Sequence, residues 1–147
     1  MSLDFGNALS TLNSTRETKM AHLKSVKTIR WSDPTNLVKI GHNTYAWRNH
    51  EGNYAVQYHS TWVVQFRRAI EDDSFDYLIV NTGGWFSQTT AERIHHALDG
   101  FRLSTRDLPG RWRVMDHFGN AWTIRGNQLI LRRSVSSKGA GEWTRYI

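Results

Sequence analysis

Cysteine is absent from this 147-residue chain, and only two prolines occur. The first absence excludes disulfide frameworks, thiolate metal sites and cysteine nucleophiles together. It also fits a reducing cytoplasm. Long apolar runs are missing too. The first 30 residues lack the apolar core of a signal peptide. Nowhere do about 18 apolar residues follow one another, as a bilayer span requires. These absences describe a soluble protein that stays in the cell that makes it. Familiar catalytic signatures are lacking as well: no Walker loop, no G-x-G-x-x-G, no G-x-S-x-G and no paired-carboxylate nuclease pattern. Gly83-Gly84 is too short for a phosphate cradle and no Lys follows it. His95 and His96 are neighbours on a predicted helix, so they point about 100° apart and cannot chelate as a pair one turn apart would. No metal or other cofactor is expected.

What is present is aromatic and basic. Seven Trp, five Tyr and six Phe accompany a hydrophobic share of 39%, enough to fold one domain with a real core. The net charge of +6 is unevenly spread: +3 over residues 1–30, −3 over 31–101 and +6 over 102–147. An acidic middle between basic ends favours an anionic partner such as nucleic acid, although such a charge also serves solubility alone.

Hydrophobic spacing organises the chain. Residues 1–13 are polar and patternless, a flexible terminus. Ser14 and Glu17 have capping-box spacing, and Met20, Leu23 and Val26 follow at helical intervals. The spacing predicts an amphipathic helix over about 15–28, within 14–30, ended before Pro34. Strand alternation then dominates from Leu37 to Asn81. Tyr45 and Trp47 share one face, as do Tyr54, Val56 and Tyr58, and likewise Trp62, Val64 and Phe66. Phe75–Val80 is more continuously apolar and reads as central. The short connections suggest an antiparallel meander of about four strands.

Gly83-Gly84 punctuates the chain before a second capping-box pattern, with Thr89 as N-cap and Glu92 three residues on. Ala91, Ile94 and Leu98 then fall on one face of a helix from about Thr90 to Asp99, which Gly100 closes. Beyond Pro109-Gly110, Trp112 and Val114 share a face, and Gly126-Asn127 signals a two-residue hairpin between 121–125 and 128–133. The expected architecture is α+β: the meander, one helix packed on it, a C-terminal β-hairpin unit and the additional N-terminal helix. One domain spans 14–133, and 134–147 reads as a Ser/Gly-rich tail.

The segment from Asn43 to Leu98 resembles a recurring domain of bacteriophage proteins. The likeness rests on Asn43-Thr44-Tyr45, on His59-Ser60-Thr61 with Val63, and on Asn81-Thr82-Gly83-Gly84-Trp85 followed by Thr89-Thr90 and Arg93. It implies a phage origin and expression in the cytoplasm of an infected bacterial host. It carries over no catalytic residue.

Candidate site residues come from the pairing of rings with cations. Arg111, Arg113, Arg125, Arg132 and Arg133 concentrate in the C-terminal β unit, with Trp112 among them, while Trp85 and Arg93 flank the helix start. Single-stranded nucleic acid is bound this way, bases stacking on rings while guanidinium groups hold phosphates. Trp and Arg are equally the residues of protein-interface hot spots. Two readings follow: a basic phage accessory protein that binds DNA or RNA, or an inhibitor that blocks a host protein such as a defence nuclease complex. A third, an enzyme, would use His59 as acid–base group with Thr61 or Asp76.

Overall fold

The computed structural model describes residues 37–99, 103–108 and 111–147. The alternating segments become strands β1 (Val38–Gly41), β2 (Thr44–Arg48), β3 (Tyr54–Tyr58), β4 (Thr61–Arg67) and β5 (Ser74–Asn81). Helix α1 (Gln88–Leu98) follows, then β6 (Ser104–Leu108), β7 (Arg111–Met115), β8 (Ala121–Thr123) and β9 (Gln128–Ser136). Two short strands close the chain, β10 (Gly139–Ala140) and β11 (Thr144–Arg145). All pairings among the described residues are antiparallel. They make one eight-stranded sheet, in order β1-β2-β3-β4-β5-β9-β10 with β11 also on β9, and one three-stranded sheet, β6-β7-β8.

Register decides which side chains meet. Ala46, Val56, Val64, Val80 and Leu129 line up as one row across five strands, and Phe66, Leu78 and Leu131 as the next. All eight are buried. Each large apolar side chain so buried contributes roughly 1.5–3 kcal/mol. A bulge in β4 leaves Val63 without a partner on β3, which turns Val63 and Val64 both inward. Helix α1 lays Ala91, Ile94 and Leu98 on this inner face. The Tyr54 hydroxyl donates to the Ala97 carbonyl at 2.6 Å and so ties β3 to the helix. From the small sheet, Trp112 and Val114 enter the same core.

This architecture corrects the expected one. The fold is dominated by a single eight-stranded antiparallel sheet with one helix among the described residues, not by a four-stranded meander with a separate hairpin unit. The expected helix at 15–28 lies outside the described residues, as does Gly100. Gly126-Asn127 does turn the chain, with Gly126 at φ +63°. Yet β8 and β9 do not pair as a hairpin; a lone bridge, Arg125 to Gln128, joins the segments. β8 pairs with β7, while β9 runs the full length of β5. The reason is the inward alternation of Leu129 and Leu131, which matches Val80 and Leu78. Joining there also covers an eight-residue edge strand that would otherwise expose its amides.

Residues 134–147, the Ser/Gly-rich tail of the sequence, carry the end of β9 and the strands β10 and β11 that pair with it. Trp143 is buried, and the amides of Tyr146 and Ile147 both donate to the Ile130 carbonyl. The helix is capped two residues earlier than expected. Ser87 is the N-cap: its hydroxyl accepts from the Thr90 amide at 3.2 Å and lies 2.9 Å from the Thr90 hydroxyl. Glu92 is consequently inside the helix and fully buried, not at its mouth. No described helix is long and apolar enough to cross a membrane.

Candidate nucleic-acid interface

Alternation sends one half of each strand to the core and the other half to the outer face of the large sheet. The outer positions of β5 are Phe75, Tyr77 and Ile79. Register places Arg67 of β4 on one side of Tyr77 and Arg132 of β9 on the other. Neighbouring strands lie about 4.8 Å apart, so the two arginine backbones flank the ring at roughly 10 Å from each other. The next outer row contains Trp47, Ala55, Gln65, Ile79 and Ile130, and a third contains Tyr45, Gln57 and Trp62. Rings and cations therefore share one surface.

Arg132 is the best-defined member. Its guanidinium carbon lies 4.3 Å from the Phe75 ring centroid and 4.9 Å from that of Tyr146. Tyr146 meets Tyr77 edge to face at 5.5 Å and is 48% exposed. No carboxylate pairs with Arg132 among the described residues. The rings hold the side chain in place while its N–H donors stay available. The acidic turn Glu71-Asp72-Asp73 closes the β4–β5 hairpin at the same end as the Arg67–Tyr77 pair, so it limits the cationic surface on that side and would repel a polyanion there.

Arg133, the next residue, points the opposite way. Its Nε donates to Asp76 Oδ2 at 2.8 Å, and Asp76 Oδ1 accepts from the Ala69 amide at 2.7 Å. The Trp143 ring centroid lies 4.5 Å from its guanidinium. Arg133 thus neutralises a buried carboxylate and clips the C-terminal segment to the sheet. The other expected residues scatter. Trp112 is 5% exposed and belongs to the core, with Phe86 edge-on at 5.1 Å. Arg113 is half-buried on β7, and Arg125 is exposed at the turn before β9. Arg111 starts β7. Arg93 donates to Thr44 Oγ1 at 2.8 Å and sits 5.5 Å from the Tyr58 ring. Trp85 is 71% exposed on the loop before α1.

Arg132 and Arg133 therefore do not share a face, and of Arg113, Arg125, Arg132 and Arg133 it is Arg132 that joins the aromatic surface. Arg67, Phe75 and Tyr77 were not among the expected site residues. For the two rings the signal lay in the i, i+2 spacing of Phe75, Tyr77 and Ile79, hidden because the intervening Leu78 and Val80 made the strand look uniformly apolar.

Of the two partners considered for His59, Thr61 lies two residues on at the start of β4, whereas Asp76 faces the opposite end of that strand, roughly 20 Å away by strand rise, which excludes a His59–Asp76 pair. No cluster of three or more metal-ligating side chains occurs among the described residues. Comparison with protein-family models, with curated proteins and with solved structures gives no match.

Proposed function

We propose that the protein binds single-stranded nucleic acid on the outer face of its large sheet, without catalysing a reaction on it. Arg132 carries the reading: a guanidinium held between two rings, with no acid partner among the described residues, in register with Tyr77 and Arg67. Bases would stack on Tyr77, Phe75 and Tyr146 while the two arginines hold the phosphates between them. The overall charge of +6 supports the approach of a polyanion. The resemblance of Asn43–Leu98 to phage domains supports an infected bacterial cell as the setting.

The test is a salt titration with labelled single-stranded and duplex oligonucleotides. Two phosphate contacts on a single strand lower affinity about sevenfold between 50 and 200 mM salt, from a slope of about −0.7 per contact. Preference for the single strand with at least that salt dependence supports the proposal. Binding that ignores salt, or none at all, overturns it. In that event direct binding to a host protein becomes the better reading.

A further inference from the structure

A second site lies on the opposite side of β4 from the sheet-face rows. The three stretches Tyr58–Val63, Thr82–Trp85 and Ser87–Thr90 converge on one cleft of about 430 Å³. We infer that this cleft is a slot for one planar, uncharged heteroaromatic ring, of the nucleobase class, held between Trp85 and the His59–Tyr58 pair.

The walls define the ligand. Trp85 is 71% exposed against 37% for Trp62, and a hydrogen bond from its own amide to the Thr82 carbonyl at 3.1 Å fixes its backbone. Across the cleft, the His59 and Tyr58 ring centroids lie 4.4 Å apart. Rings on two separate elements suit a flat ligand that stacks on both faces; a sugar offers a flat C–H surface to one. Ser60, Thr61, Val63, Thr82, Ser87 and Thr90 line the remainder. The Ser87 and Thr90 hydroxyls bond each other, while those of Ser60 and Thr61 can donate and accept, which matches the mixed edge of a base. No carboxylate lines the cleft, so it makes no demand for a cation.

His59 is held at some cost. It is the first residue of the two-residue turn between β3 and β4 and has φ +54°, where glycine is favoured. An imidazole at that position is unnecessary for the turn. Gly83 shows that the opposite wall is seated closely on β4. A Cβ there would come 2.6 Å from Thr61 Oγ1, so only glycine lets the Trp85 loop approach.

The cleft and the sheet face can fail separately, which sets the experiment. Adenosine, uridine and methyl glucoside are titrated into the full chain by calorimetry and saturation-transfer NMR, at 50 and 200 mM salt. Saturable nucleoside binding that is indifferent to salt is expected, since a nucleoside carries no phosphate. Trp85→Ala and His59→Gly should each weaken it at least about fivefold, the loss of one stacking contact. Arg132→Ala should leave it unchanged. His59→Gly suits the turn, so its melting temperature should not fall and lost binding cannot be ascribed to unfolding. Absence of saturable nucleoside binding, preference for methyl glucoside, or unchanged binding in both cleft variants would each overturn the inference.

Discussion

Arg132 and Arg133 are adjacent in sequence and opposite in role, so alanine substitution should separate them. Arg133→Ala leaves Asp76, 4% exposed, with the Ala69 amide as its one hydrogen-bond partner among the described residues. Removing one member of a buried pair costs about 3–5 kcal/mol. The Arg133 side chain is 22% exposed, so water moderates the loss and the low end, about 3 kcal/mol, applies. For a domain of this size that lowers the melting temperature by about 6–12 °C. Arg132→Ala removes two ring contacts on the outer face, worth roughly 1–2 kcal/mol together, or about 2–8 °C. Binding should show the reverse order. Arg132→Ala removes one phosphate contact and flattens the salt slope by about 0.7, whereas Arg133→Ala leaves the slope unchanged at temperatures where it is folded. Thermal melts and fluorescence anisotropy on the same preparations read both. The assignment of faces is refuted if Arg132→Ala proves the more destabilising, or if Arg133→Ala flattens the slope.

Three further outcomes follow from the fold. Gly83→Ala should cost about 2 kcal/mol or more in urea unfolding, from φ +65° plus the approach to Thr61, and Thr61→Ala should restore part of it. Gly84→Ala shares the positive φ but meets only Asn127 Nδ2 at 3.9 Å, so it should cost about half as much. Ser87→Ala should destabilise by about 1 kcal/mol and Thr89→Ala by little, which distinguishes the observed N-cap from the expected one by chemical denaturation. The Tyr54 phenol, pushed well above its ordinary range by burial and then by nearby Asp99, should make folding sensitive to alkali. A raised folded-state value means this stability is complete below the unfolded value near 10 and declines as pH rises beyond it. Tyr54→Phe should therefore flatten the stability profile above about pH 10 in circular dichroism melts.

Strand positions and the helix were legible because their spacing is local. Tyr54-x-Val56-x-Tyr58 and Ile94 with Leu98 state their period within a few residues. The partner of β5 was not legible, because nothing near Gly126-Asn127 says whether 128–133 folds back on 121–125 or crosses to another sheet. That choice depends on Leu129 and Leu131 meeting Val80 and Leu78, a match made about 50 residues apart in the chain and visible only in register. Composition misled at one place: clustering of arginines in sequence suggested a single face, whereas alternation sends the neighbours Arg132 and Arg133 to opposite faces. Ser87, Thr89 and Thr90 are all competent caps; the inward demand of Ala91 and Ile94 selects the first.

Photo-crosslinking of a single-stranded oligothymidylate of about 12 nucleotides, followed by peptide mass spectrometry, tests the sheet-face proposal most directly. Adducts at Phe75, Tyr77 or Tyr146 that disappear in Arg132→Ala at moderate salt are the expected result. Adducts confined to residues away from that face, or none under conditions where the oligonucleotide binds, would contradict it.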